Sequence, residues 1–120
     1  MAAQSNINDI EDYERKMTDL INTFESHPQA QPPSPHPTAF FLLDFIKNSH
    51  RNLQQIDKQK YASGDNAAQE AFREIVGRNS FAILLLHDDS GKLSMMTGAD
   101  PRNRINFGPE IKAKAEALKQ

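Results

Sequence analysis

Between residues 7 and 24, apolar side chains recur at steps of three and four: Ile7, Ile10, Tyr13, Met17, Leu20, Ile21 and Phe24. That period gathers them into one stripe along an α-helix and leaves the polar positions on the other side. Ser5, Asn6 or Asn8 can cap its start. Asp9, Glu11 and Asp12 fall in the first turn, where unpaired amides and the helix dipole favour carboxylates.

The pattern then breaks. Five of the seven prolines lie between Ser26 and Pro37. Each removes an amide donor and disfavours a helical residue before it, so no helix or central strand passes through. The segment 27–37 is expected to be an extended, polyproline-like connector, stiff enough to hold the first helix away from the rest.

Periodicity resumes after Thr38, a plausible N-cap, with Phe40, Phe41, Leu42, Leu43, Phe45 and Ile46, and continues through Leu53, Ile56 and Tyr61. This predicts one long second helix. Its first two turns are apolar nearly all round, which predicts burial on more than one side. Gly64-Asp65 reads as a stop and a new cap, and Ala68, Phe72, Ile75 and Val76 give a third, short helix that Gly77 is expected to end.

Phe81 to Leu86 is a dense apolar run, followed by the turn formers Asp88-Asp89-Ser90-Gly91 and a second run from Lys92 to Thr97. Two runs around such a turn predict a β-hairpin. Residues 98–108 carry no usable period and should form a loop. Pro109 suits the first position of a last helix with Ile111, Ala115 and Leu118 on one face. The expected fold class is therefore α+β: about four helices and one short antiparallel β-hairpin. It divides into an N-terminal amphipathic helix (1–26), a Pro-rich linker (27–37) and a compact domain (38–120).

Composition narrows the function classes. With 38% apolar and 25% charged residues among 120, the chain supports one domain with a modest core. Cysteine is absent, which excludes disulfides and thiolate chemistry and fits a reducing, cytoplasmic setting. No stretch is long and apolar enough for a membrane span, and no basic segment precedes a hydrophobic one at the N-terminus, so neither a membrane partner nor a signal peptide is expected. A net charge of −2 argues against non-specific nucleic-acid binding. Lys47, Arg51, Lys58 and Lys60 read as a solvated helix face. Charge is uneven, however: residues 1–26 hold six acids and two bases, whereas 27–64 hold four bases and two acids.

Two constellations could carry chemistry. Arg102, Asn103, Arg104 and Asn106 lead directly into Gly108 at the start of the last helix, with Thr97 at the hairpin edge. Guanidinium forks and helix N-terminal amides together suit a phosphate or carboxylate. The motif matches neither a P-loop nor a dinucleotide fingerprint. His87-Asp88-Asp89 has metal-ligand residue types, but strand neighbours face opposite ways and further ligands would have to come from His50 or Asp100. His27 and His36 flank the prolines without sequence partners. Ser80, Ser90 and Ser94 lack the glycine-flanked elbow of a nucleophilic serine. No catalytic group, metal or cofactor is implied.

The expectation is a small non-enzymatic binding or regulatory protein that acts through protein contacts with a partner or a second copy, favouring a homodimer. Its interaction surface would be the stripe of Ile10, Met17, Leu20, Ile21 and Phe24 together with Met96, a thioether suited to adaptable contacts. The alternative is a binder of an anionic small molecule, such as a nucleotide, at the Arg102/Arg104 loop.

Overall fold

The structure, a computed structural model, describes residues 7–32, 36–87 and 107–118, and these are helical almost throughout. The elements are α1 (Ile7–Glu25), a 3-10 turn (Pro28–Ala30), α2 (Pro37–Gln54), α3 (Lys58–Ala62), α4 (Asn66–Leu86) and α5 (Gly108–Glu116). No β-strand occurs among the described residues, so the fold is all-α and not α+β.

The expected hairpin is overturned by α4. Phe81 to Leu86 is the last turn and a half of a 21-residue helix. The buried positions show why: Ala68, Phe72, Ile75, Asn79, Ala82, Ile83 and Leu86 are spaced by three, four or seven, with only Ala82 and Ile83 adjacent. The helical period begun at Ala68 runs unbroken through the apolar run, and Gly77 does not stop it. A helix tolerates an interior glycine at a cost of about 0.8–1.0 kcal/mol relative to alanine. The expected turn and second arm, residues 88–97, lie outside the described residues, as does most of the loop 98–108.

The long second helix is in fact two. Asp57 Oδ1 accepts from the amides of Gln59 at 2.9 Å and Lys60 at 3.2 Å, which starts α3 after α2 has ended at Gln54. An aspartate two and three residues ahead of free amides is a strong N-cap. At the front of α2 the cap is His36, whose Nδ1 accepts from Thr38 N at 3.1 Å, while Pro37 takes the first helical position. His27 does the same for the 3-10 turn, accepting from Gln29 N at 3.1 Å. Thr38 itself is buried.

The connector does not hold α1 apart. His36 N donates to Gln29 O at 2.7 Å, folding the segment back on itself, and α1 packs against α2, α3 and α5. α2 also packs on α4, and α4 on α5, so α1, α2, α4 and α5 enclose one core, with α3 touching α1 and α4. Residues from 10 to 24 and from 39 to 118 contribute to this single cluster. Along it, Tyr13 meets Phe72 edge-on at 5.4 Å, Phe72 meets Tyr61 at 5.2 Å, and Phe24 meets Phe107 at 5.4 Å. Such aromatic pairs add to the burial of their area.

Ion pairs mark the seams. Lys47 Nζ lies 2.6 Å from Glu25 Oε2 across α1 and α2, Lys114 Nζ donates to both oxygens of Asp19 at 2.8 Å across α5 and α1, and His87 Nε2 is 2.8 Å from Glu116 Oε1. All are at least partly exposed, so each contributes little beyond fixing orientation. No helix among the described residues is long and apolar enough to cross a membrane.

Because α1 shares the core, Leu20→Ala should lower unfolding stability by about 2–5 kcal/mol in urea titration. A change under about 0.5 kcal/mol, the range of a surface site, would contradict the packing of α1. His36→Ala should cost about 0.5–2 kcal/mol through loss of the α2 cap, with most of it restored in His36→Asn.

Candidate functional site

Of the residues expected to form an interaction surface, Ile10, Met17, Leu20, Ile21 and Phe24 are all buried within their own chain. The stripe that looked available is the inner face of α1. Met96 lies outside the described residues, as do Thr97, Arg102, Asn103, Arg104 and Asn106. Gly108 is described: its φ of +82° is a left-handed conformation that favours glycine, and it opens α5. An open cleft of about 650 Å³ lies beside it, lined by Asn22, Thr23, Ser26, His27 and the first residues of α5. Glu110 occupies the first turn of α5 and already supplies the negative charge that the helix end favours.

The other clefts hold polar groups that satisfy one another. Thr18, Ile21, Asn22, Lys47, His50 and Arg51 border a space of about 510 Å³ between α1 and α2. There Thr18 donates to Glu14 O at 3.0 Å and sits 3.1 Å from His50 Nε2, Lys47 pairs with Glu25, and Arg51 bonds Asn48. A groove of about 480 Å³ between the end of α2, α3 and α4 is lined by Asp57 and Asp65, which serve as helix caps, and by the Glu74–Arg78 pair at 2.7 Å. Among the described residues no three His, Asp or Glu side chains converge as metal ligands. His87 pairs with Glu116, and Asp88, Asp89 and Asp100 lie outside the described residues.

One polar group sits inside the core. Asn79 is 1% exposed; its Nδ2 donates to Tyr13 Oη at 3.0 Å and lies 3.5 Å from Met17 Sδ, while its Oδ1 has no protein partner. A buried amide whose hydrogen-bond partners both lie on α1 ties the register of α4 to that of α1. Burial pushes the Tyr13 hydroxyl above the ordinary phenol range, and the hydrogen bond from Asn79 opposes that rise.

Apolar groups are also left uncovered. Among the described residues, the large hydrophobic side chains that stay exposed are Phe40 at 61%, Phe41 at 40%, Phe81 at 51% and Leu84 at 65%. They occupy the first half of α2 and the last third of α4, two helices that pack on each other. A short helical connection makes α2 and α4 antiparallel neighbours, so these two ends lie at the same end of the pair. The first turns of α2 are thus not buried on several sides: Ala39, Leu42, Leu43 and Ile46 point inward, whereas Phe40 and Phe41 remain in solvent, Phe41 tilted against Phe45 at 6.4 Å. Phe40 and Phe41 lie about 100° and about 200° around the helix from Ala39, outside the arc that Ala39, Leu42, Leu43 and Ile46 turn to the core. The signal for this surface was present in the sequence as surplus: both apolar runs are wider than the single face a helix can bury.

No protein-family model matches the chain, and no curated protein or solved structure matches it either.

Tyr13 keeps its proton in the folded state to a higher pH than in the unfolded chain, so the folded state binds more protons above the ordinary phenol value of 10.0. Stability should therefore hold up to about that pH and fall as pH climbs through the raised value. Urea midpoints measured from neutral to strongly alkaline pH should drop less steeply in Tyr13→Phe than in the native chain; identical slopes would refute the assignment.

Proposed function

We propose that this is a small non-enzymatic binding or regulatory protein that acts through protein–protein contacts, using the outer surface of α2 and α4. The observation that carries the reading is the exposure of Phe40, Phe41, Phe81 and Leu84 on two packed helices. Taking about 150–250 Å² for an aromatic side chain, they leave on the order of 400 Å² of apolar surface in water. Phe81 and Leu84, three residues apart, adjoin on the outer face of α4, and neighbouring exposed apolar side chains are a commoner mark of a contact site than singly scattered ones.

The interaction stripe expected from the sequence is occupied by the core, so the surface is reassigned to residues that the core does not use. Aromatic anchors bordered by charge, here Lys47 and Asp44 on α2 and Arg73, Glu74 and Arg78 on α4, have the composition of a protein interface: apolar in the centre, polar at the rim. Phenylalanine also loses few rotamers on burial, which favours tight contact per unit area.

Replacing both Phe81 and Leu84 by glutamate should leave the helical circular dichroism intact, because neither side chain belongs to the core. The same variant should lose stable association, with itself or with a protein captured from source-cell extract, by at least tenfold relative to the native chain. Equal association by the native and double-variant proteins would remove this surface from the account.

A further inference from the structure

We infer that the seam between α1 and α2 is a binding site for a small phosphate monoester, built from Lys47, His50 and Arg51 of α2 with Thr18 and Asn22 of α1. None of these residues belongs to α4, and the site stands apart from the contact surface proposed above.

Charge singles this seam out. The cleft of about 510 Å³ is bordered by those five side chains and the buried Ile21, a volume ordinary for a small-molecule site. Its lining carries a lysine, an arginine and an imidazole but no carboxylate, in a chain of net charge −2. The cleft beside α5 contains Glu110, the groove at α3 contains Asp57, Asp65 and Glu74, and the hollow along α1 contains Asp12 and Asp19. An anion entering any of those meets like charge, whereas between α1 and α2 it meets only cations and neutral polar groups at the walls.

Two contacts hold the walls in place. His50 Nε2 is 3.1 Å from Thr18 Oγ, and Lys47 Nζ is 2.6 Å from Glu25 Oε2. Asn22 lies one turn after Thr18 and one turn before Glu25, so its side chain falls between those contacts. Thr18 donates its hydroxyl proton to Glu14 O at 3.0 Å and therefore accepts from His50, which sets the imidazole against α1.

The existing bonds leave donors over. Arg51 bonds only Asn48 among the described residues, through one arm of its guanidinium. Asn48 in turn donates to Asp44 at 3.3 Å, so a neutral amide stands between that carboxylate and Arg51. Lys47 gives one of its ammonium protons to Glu25, and the Asn22 amide makes no hydrogen bond among the described residues.

That donor set fits phosphate better than carboxylate. The guanidinium fork grips two oxygens, the Lys47 ammonium takes the third, and the Asn22 amide adds a neutral donor from the opposite helix. The cleft is larger than a phosphate group, and Ile21 offers an apolar surface for the esterified part. A ligand held from both helices also ties α1 to α2, so it stabilises the folded chain as its excess over the dissociation constant grows. Glu25 is the one carboxylate that competes with the ligand for Lys47.

The test is a titration of the isotope-labelled full chain with phenyl phosphate and, separately, with inorganic phosphate, each to about 10 mM at constant ionic strength and followed by amide chemical shifts. Phenyl phosphate should shift Thr18, Asn22 and residues 47–51 saturably, bind about threefold or more tighter than inorganic phosphate, and raise the melting temperature. Arg51→Gln and Lys47→Met should each weaken binding about tenfold with the circular dichroism unchanged. Glu25→Gln should strengthen binding about threefold by releasing Lys47, an effect that a purely structural Lys47–Glu25 pair would not produce. Absence of saturation with both probes, or an affinity indifferent to Arg51→Gln, overturns the site. Equal affinity for the two probes overturns the monoester as its ligand.

Discussion

The burial of one face of α1 is the constraint on which the rest of the molecule depends. Tyr13, Met17, Leu20 and Phe24 fill the space between α2, α4 and α5, and without them the inner faces of those helices would meet water. Apolar residues are a modest share of this chain, so a core of this size closes only if the first helix is included. The fold-back of the connector, capped at each end by a histidine, is what brings α1 within reach.

Packing alone would allow α1 to slide along α4, because one apolar ridge resembles the next. The Asn79 to Tyr13 hydrogen bond removes that freedom. Sliding by one turn would leave a buried amide and a buried phenol both without partners, at a cost of about 1–3 kcal/mol for each. With α4 held in register, its inner face is committed to α2, α5 and Tyr13 of α1, and whatever apolar surface it carries elsewhere must face outward. Phe81 and Leu84 are that surplus. The apolar contact surface is thus a consequence of how the core is closed.

Much of the architecture was legible from residue order. The stripe of α1, the break at the prolines, the cap at Asp65 and the placement of Pro109 at the front of the last helix all follow from local chemistry and reappear in the structure. The hairpin did not reappear, because a short apolar run fits a strand or a helix equally well until the period of the preceding residues is carried across Gly77. The division of the second helix was missed for a similar reason: Ile56 and Tyr61 kept the helical rhythm, while the cap at Asp57 interrupted it. As for the candidate site, Phe40, Phe41, Phe81 and Leu84 were visible as apolar, but not as exposed.

Residue order by itself determined which segments become helices and which residues on each are apolar, because period, capping and proline act over a few neighbours. Only the tertiary structure decided which apolar face is hidden. Burial is a competition among all the helices for one limited interior, which admits Ala39, Leu42, Leu43 and Ile46 from the first turns of α2 and leaves Phe40 and Phe41 outside. Two stripes of equal hydrophobicity are indistinguishable along the chain, and the packing partner each one finds separates a core from a contact surface.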